Sequence, residues 1–178
     1  ILGLEEFEFD VRLKKMLQEK WGINSLFPPQ AEALPNSLKG RNLMLAVPTA
    51  SGKSLVAHIT LANRLIGDLS GQRGIYIVPL KALASEKYEE LKEVCSSVGL
   101  KVGLAIGDRS SETSLVENSD VLVCTSEKLD SMLRSKPSLL DDIGIVVADE
   151  FHLLQDPSRG PTLEILLSRI RHSSPRVQ

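Results

Sequence analysis

The sequence has 178 residues, of which 42% are hydrophobic and 25% are charged, and its formal net charge at pH 7 is −2. These values are typical of one globular domain, and no apolar run approaches the ~20 residues of a membrane-spanning helix, so we expect no membrane partner. The near-neutral charge excludes nucleic-acid binding through a uniformly basic surface. Any such binding must come from hydrogen-bond donors placed locally on the surface. Cys95 and Cys124 have neither disulfide nor metal-ligand spacing, and we expect both to be buried.

The first forty residues predict two helices. A stripe of apolar residues recurs at helical spacing, and Gly22 should end this first helix. The stripe consists of Phe9, Leu13, Met16, Leu17 and Trp21. The prolines within residues 26–29 predict an extended segment, and a second helix is expected over residues 30–38.

From residue 41 onward, apolar runs of strand length alternate with helical patterns. The predicted strands cover residues 41–47, 75–78, 102–105, 121–124 and 143–148. The predicted helices cover residues 53–66, 82–96, 126–134 and 163–171, and residues 107–119 read as a polar loop with room for a turn of helix. Such alternation predicts a doubly wound α/β fold, in which a mostly parallel sheet is flanked by helices and ligands bind at the carboxyl ends of the strands.

The segment V-P-T-A-S-G-K-S, residues 47–54, has the pattern of a phosphate-binding loop. A strand, a tight loop and a helix start place backbone N–H groups around an anion, and the helix dipole favours negative charge there. Lys53 is expected to reach the phosphates, and the Ser54 hydroxyl is expected to bind magnesium. Val47 stands where the usual pattern has glycine, and a Gly-Lys-Ser sequence that merely begins a helix is the alternative interpretation.

The segment I-V-V-A-D-E-F-H, residues 145–152, ends a buried strand with two adjacent carboxylates. Two acids at such a place are costly unless a cation is near. Asp149 is therefore predicted to hold magnesium, directly or through water, and Glu150 to act as general base on an attacking water. A solvated Asp-Glu pair that caps a turn is the alternative for this segment taken alone.

Several motifs in this order resemble those of superfamily 2 DExH helicases. Residues 47–54 resemble motif I, and D-E-F-H resembles motif II. Residues 27–34 resemble the Q motif, and residues 78–87 resemble motif Ia. Residues 125–130 resemble motif Ib, and residues 159–164 resemble the stretch that follows motif II. The likeness is greatest to the Ski-type group and, within it, to the archaeal Hjm-type repair helicases. It implies one domain, the first of two RecA-like P-loop motor domains, with residues 1–39 as a helical extension and 40–178 as the P-loop core. The second motor domain is expected to lie outside this sequence.

The resemblance also implies roles for individual residues. Gln30 would pair with the adenine of ATP, and His152 would couple motif II to the partner domain. The residues implied for ATP binding are Gln30, Pro48, Thr49, Ala50, Ser51, Gly52, Lys53 and Ser54. Those implied for nucleic-acid contact are Pro79, Lys81, Ala82, Asp108, Thr125 and Ser126. Without the resemblance, Gln30 reads as a solvated helix-start residue, and the other plain readings are a solvated surface residue for Lys81, a polar surface turn for Asp108 and an ordinary loop residue for His152.

The functional prediction is therefore an ATP- and magnesium-dependent DNA helicase, acting on single strands as a monomeric motor in DNA repair or stalled-fork processing. The alternatives are an RNA helicase of the same group, a P-loop kinase, and a non-catalytic nucleotide switch. An arginine finger is expected on the second domain, so these residues alone should bind nucleotide weakly and hydrolyse it poorly. The expected location is the cytoplasm in an archaeon or the nucleus in a eukaryote.

Overall fold

A computed structural model of the protein describes residues 1–48, 52–107, 116–150, 152, 155, 157–158 and 160–178. The strands in this part of the chain are β1 (Leu2–Gly3), β2 (Ser25–Leu26), β3 (Arg73–Val78), β4 (Val102–Ala105), β5 (Val121–Thr125) and β6 (Ile143–Ala148). The α-helices are α1 (Val11–Trp21), α2 (Pro28–Leu38), α3 (Lys53–Ile66), α4 (Lys81–Ser96), α5 (Ser126–Ser135) and α6 (Gly160–Ser173). Within the described residues, short 3-10 helices also cover Leu4–Glu6 and Pro137–Asp142.

The main sheet has the strand order β4-β5-β3-β6, and every pairing within it is parallel. Helix α4 lies in the connection from β3 to β4, and α5 lies in the connection from β5 to β6, because parallel strands need crossover connections. A separate two-stranded antiparallel ribbon joins β1 to β2 near the N-terminus. Because the strands of the main sheet run in one direction, their carboxyl ends meet at one edge, where the predicted site residues follow them.

Alternate residues of the strands pack into two hydrophobic clusters on opposite faces of the sheet. Tyr76 and Val123 face one cluster, which is completed by α1, α2, α3 and α4. Ile77 and Cys124 face the other, which is completed by α5 and α6. Side chains of a strand alternate between faces, so a sheet covered on both sides needs the nearly continuous apolar runs seen here. The predicted burial of both cysteines is confirmed.

The ends of most helices agree with the sequence prediction. Helix α1 ends at Gly22, whose φ of 66° is the left-handed conformation that glycine adopts without steric cost. Helix α2 is an exception, because it begins at Pro28 instead of Gln30. The prediction of an extended segment through both prolines was wrong, since the first turn of a helix needs no backbone N–H donor and tolerates proline. Helix α6 is also longer than predicted and begins at Gly160.

The strand predicted over residues 41–47 is not formed, and that prediction was wrong. A strand requires a neighbour to complete its ladder, and Gln178 takes that place beside β6. The Gln178 backbone donates to Gly144 O (3.1 Å) and accepts from Val146 N (2.8 Å). Its side-chain amide donates to Arg41 O (3.1 Å), so this one residue stands between β6 and the segment.

The polar loop predicted over residues 107–119 is described only in part. Residues 108–115 lie outside the described residues, and Val116 and Glu117 have helical conformation. Across the described part of the chain, no helix is both long enough and apolar enough to cross a membrane.

Candidate functional site

Gly52 ends the predicted phosphate loop at the start of α3. Its φ is 70°, and a Cβ at this position would lie 2.2 Å from Gln30 Nε2. The left-handed backbone favours glycine here, and a Cβ would displace the Gln30 amide from its present position. Lys53 and Ser54 form the first turn of α3, where backbone N–H groups lack carbonyl partners within the helix and can bind an anion. Of the other predicted loop residues, Pro48 is exposed, while Thr49, Ala50 and Ser51 lie outside the described residues.

Gln30 connects the start of α2 to this loop. Its side chain is 3% exposed. The amide oxygen accepts from Phe27 N (2.8 Å), and the amide nitrogen donates to Gly52 O (2.8 Å). One amide N–H and one oxygen lone pair are not used in these two bonds. The pairing of Gln30 with adenine stays a prediction.

Glu150 lies between Lys53 and His152. Its Oε1 atom is 3.8 Å from Lys53 Nζ, and its Oε2 atom is 3.2 Å from His152 Nδ1. Glu150 has a φ of 55°, and within the described part of the chain it is the one non-glycine residue with positive φ. Strained backbone of this kind persists only where the surroundings enforce it, and it is concentrated at functional sites. The strain here turns a carboxylate toward the helix start that carries Lys53.

Asp149 is held by three hydrogen bonds at the end of β6. Its backbone N donates to Ile77 O (2.9 Å), which continues the ladder between β6 and β3 by one residue. Its Oδ1 atom accepts from Glu150 N (2.8 Å), and its Oδ2 atom accepts from the Tyr76 hydroxyl (2.7 Å). The Asp149 carboxylate therefore has a defined orientation before any ligand binds.

Ser54 is connected to a partly buried polar network on α3 and α4. Lys87 Nζ donates to Ser54 Oγ (3.3 Å) and to both carboxylate oxygens of Glu90 (3.3 and 3.2 Å). Glu90 Oε2 is also 2.8 Å from His58 Nε2. The hydrogen bond from His58 lowers the pKa of Glu90, whereas burial lowers the pKa of His58. The network thus combines a neutral histidine with a charged Lys-Glu pair behind the start of α3.

The oxygens of Ser54 and Asp149 suit a magnesium ion. Magnesium prefers hard oxygen ligands and usually keeps several waters, so one or two protein ligands plus phosphates complete its shell. One serine hydroxyl and one carboxylate, with phosphates and waters, match that requirement. No cluster of three or more histidine, cysteine or acidic side chains suited to a metal occurs among the described residues, so a site made wholly of such protein ligands is not indicated there.

Two of the predicted nucleic-acid contacts border the same cleft as the motif II acids. Pro79 and Ser126 line a depression together with Asp149 and Glu150. Lys81 is exposed at the start of α4, on the same edge of the sheet. The predicted catalytic carboxylates and two of the predicted nucleic-acid contacts therefore border one depression.

The remaining predicted contacts differ in solvent exposure, and one of them is not described. Ala82 is exposed beside Lys81, whereas Thr125 is buried and its Oγ1 atom accepts from Lys128 N (3.3 Å), which caps α5. Asp108 lies outside the described residues. All six nucleic-acid contacts stay predictions, as does the coupling role of His152, which is 66% exposed.

Sequence reasoning did not identify Tyr76, Lys87, Glu90 or His58 as parts of the site. One signal was available for Tyr76, because a hydroxyl within a fully buried apolar strand needs a hydrogen-bond partner. Lys87 lies in the stretch that resembles motif Ia, but an exposed lysine and a buried one look alike in a sequence. The remaining two residues gave no signal, because their contact joins different helices.

A parallel sheet covered on both faces by helices, with a Gly-Lys-Ser helix start and an Asp-Glu strand end at one edge, defines a P-loop nucleotide-binding domain. The model of the DEAD/DEAH box helicase family matches residues 27–178. The chain belongs to this family, and the predicted fold class and family membership are confirmed.

Several relatives carry the name ATP-dependent DNA helicase Hel308. Those of Thermococcus kodakarensis and Pyrococcus horikoshii are 46% and 44% identical to this chain over 170 residues, which is 95% of the chain in both cases. The relative of Methanocella arvoryzae is 46% identical over 162 residues, or 88% of the chain. The aligned region is 15%, 23% and 22% of these relatives, so the chain spans less than a quarter of their length.

The fold also resembles a solved structure, that of a hypothetical ATP-dependent RNA helicase from Sulfolobus tokodaii. The TM-score is 0.76, and the match covers 93% of this chain and 47% of that one. The two sequences are 19% identical, so the likeness concerns the fold alone.

Proposed function

We propose that this chain is the first RecA-like motor domain of an ATP-dependent DNA helicase, with residues 1–39 as a helical extension and 40–178 as the P-loop core. The observation that carries the proposal is the approach of Lys53, at the start of α3, to Glu150, after β6 (3.8 Å). Between them these two elements supply the cation and acids that phosphoryl transfer requires. The name shared by the relatives favours DNA as the substrate.

ATP would bind with its phosphates at the first turn of α3. Gly52 allows the backbone to approach the phosphates, and Lys53 would exchange its contact with Glu150 for the β- and γ-phosphates. The Gln30 amide would hydrogen-bond to the adenine and keep its existing bond to Gly52 O, so one side chain would contact both the base and the loop. The remaining proposed binding residues are Pro48, Thr49, Ala50, Ser51 and Ser54.

Ser54 and Asp149 would hold magnesium, whose chemistry is to neutralise charge on the phosphates. Glu150 would orient the attacking water and accept its proton, as a general base within hydrogen-bond reach can. His152 Nδ1, 3.2 Å from Glu150 Oε2, would hold this second carboxylate oxygen in place. It would also couple motif II to the partner domain. These steps assign binding, orientation and proton transfer to separate side chains of this chain.

Movement along DNA would need the second RecA-like domain of the full-length protein. Closure of the two domains on ATP and their reopening after hydrolysis would shift a single strand held through its backbone. On this chain the strand would contact Pro79, Lys81, Ala82, Asp108, Thr125 and Ser126. We propose that the motor is monomeric. We also propose that it acts in the cytoplasm, since the relatives described above come from archaea.

The test is an unwinding assay of the full-length protein on matched DNA and RNA duplexes with 3′ or 5′ single-stranded tails. We expect ATP- and magnesium-dependent unwinding of tailed DNA, lost in Lys53→Ala and retained in Lys39→Ala, which removes an exposed lysine outside the site. Unwinding of RNA but not DNA would contradict the proposed substrate. Undiminished unwinding by Lys53→Ala would contradict the proposed site.

A further inference from the structure

Tyr76 is a buried tyrosine that contacts the motif II acid from a neighbouring strand. Its side chain is fully buried in β3. The register pairs Tyr76 with Val147 of β6, two residues before Asp149, so Tyr76 and Asp149 are diagonal neighbours on one face of the sheet. The phenol is long enough to span that diagonal, and its hydroxyl donates to Asp149 Oδ2 (2.7 Å).

The Tyr76 bond fixes the orientation of the Asp149 carboxylate. Glu150 N occupies one lone pair of Oδ1 (2.8 Å), and Tyr76 occupies one lone pair of Oδ2. With one donor on each oxygen, rotation about the Cβ–Cγ bond would break both bonds. The lone pairs that remain on the two oxygens are therefore held in set directions.

Tyr76 thus touches one of the two side chains proposed to bind magnesium, although the two residues are far apart in the sequence. The other proposed ligand, Ser54, is held by Lys87 Nζ (3.3 Å), whose other contacts go to Glu90. Tyr76 therefore fixes the Asp149 carboxylate, while a different side chain holds the Ser54 hydroxyl.

We propose that Tyr76 is a positioning residue for magnesium, which sets Asp149 in the geometry that the ion requires. The inference rests on the proposed function, because the magnesium site is part of that function. Residues that hold metal ligands by hydrogen bonds orient those ligands, and their loss costs about 10- to 100-fold in metal affinity or activity. Magnesium is sensitive to such loss because it demands near-ideal octahedral geometry.

The variant that tests the proposal is Tyr76→Phe, which removes the hydroxyl and keeps the buried ring. Mn²⁺ affinity is measured by electron paramagnetic resonance on the full-length protein bound to a non-hydrolysable ATP analogue. We expect Tyr76→Phe to weaken Mn²⁺ binding about 10-fold or more. The matched control is Tyr88→Phe on α4, whose ring lies beside Lys92, and its Mn²⁺ affinity should equal that of the unchanged protein.

A second readout separates positioning from a general loss of structure. In steady-state hydrolysis by the full-length protein, Tyr76→Phe should raise the magnesium concentration needed for half-maximal rate about 10-fold. The rate at saturating magnesium should recover to within a few-fold. A damaged fold would lower the saturated rate and leave the magnesium requirement unchanged, and that pattern would overturn the proposal.

Asp149→Asn distinguishes failure of this inference from failure of the proposed function. If Asp149→Asn loses Mn²⁺ binding and Tyr76→Phe does not, the metal site stands and the positioning role is wrong. If neither variant changes Mn²⁺ affinity, the ion binds elsewhere and the proposed function loses its metal site together with this inference.

Discussion

Lys53 Nζ lies 3.8 Å from Glu150 Oε1, which brings the start of α3 against the end of β6. Both side chains are about one-quarter exposed, and a pair as accessible as this contributes at most about 1 kcal/mol to stability. The contact is long and loosely held, so the arrival of phosphate oxygens can replace it. We interpret the pair as a resting state, in which the cation proposed to bind phosphate lies beside the acid proposed to activate water.

Glu150→Gln should separate binding from hydrolysis. The amide keeps the size of the side chain but cannot accept a proton from water, so we expect the turnover number of the full-length protein to fall about 10²- to 10⁴-fold. Nucleotide affinity should change little, because Glu150 is not proposed to contact the phosphates. Fluorescent-nucleotide titration and steady-state hydrolysis measure the two quantities. Glu127→Gln on α5 is the control, and unchanged turnover in Glu150→Gln would contradict the catalytic assignment.

The backbone strain at Glu150 predicts a difference between two variants that both lack the carboxylate. Glycine adopts a φ of 55° without steric cost, whereas alanine does not. Glu150→Gly should therefore be more stable than Glu150→Ala by roughly 1 kcal/mol, although glycine usually lowers stability. Denaturant unfolding of the two variants measures the difference. An alanine variant as stable as the glycine variant would show that the left-handed conformation is not kept in solution.

Gly52→Ala should damage the phosphate loop more than a comparable change at another glycine. The added Cβ meets Gln30 Nε2 at 2.2 Å and also forces alanine into a φ of 70°. Gly71→Ala is a matched control, because Gly71 has a φ of 84° and open space around the added Cβ. Both variants should lose about 1–2 kcal/mol of stability from the backbone alone. Only Gly52→Ala should also weaken nucleotide binding, and equal nucleotide affinities for the two variants would contradict the role of the Gln30 contact.

The buried His58 predicts an acid-sensitive fold. Burial lowers the pKa of His58 below its ordinary value of 6.5, so the folded chain keeps the ring neutral while the unfolded chain binds a proton. Stability should therefore fall as the pH drops below about 6.5, by up to about 1.4 kcal/mol per pH unit for this one group. The lowered pKa of Glu90 adds a further loss of stability below 4.5.

Unfolding of the chain followed from pH 7.5 to 5.0 measures this dependence. His58→Gln should flatten the slope just below pH 6.5, whatever its effect on stability at neutral pH. His172→Gln removes an exposed histidine of α6 and should leave the slope unchanged. An equal slope in His58→Gln and the unchanged protein would assign the acid sensitivity to other groups.

Local sequence signals predicted those parts of the fold that depend on a few neighbouring residues. Gly22 ends α1 and Gly52 precedes α3, and both have a left-handed backbone conformation. Such a conformation is a local property that a glycine in the sequence indicates. The strand over 143–148 was predicted correctly from its apolar run and its acidic end. The strand over 41–47 failed for the opposite reason, since an apolar run does not say which neighbour will complete its ladder.

Some contacts of the candidate site could be predicted from short motifs, and others could not. Recognisable motifs contain Lys53, Ser54, Asp149 and Glu150, so their position at one edge of a parallel sheet could be predicted. The bond from Tyr76 to Asp149 could not, because it depends on the register of β3 against β6, which no short segment encodes. The link from Lys87 to Ser54 likewise requires the packing of α4 against α3.

The most direct test of the central claim is a crystal structure of the full-length protein with a non-hydrolysable ATP analogue and Mn²⁺, whose anomalous signal locates the metal. We predict one anomalous peak within coordination distance of Ser54 Oγ and within reach of Asp149, directly or through one water, with Lys53 Nζ on the phosphates. A metal and triphosphate bound away from these three side chains would contradict the account.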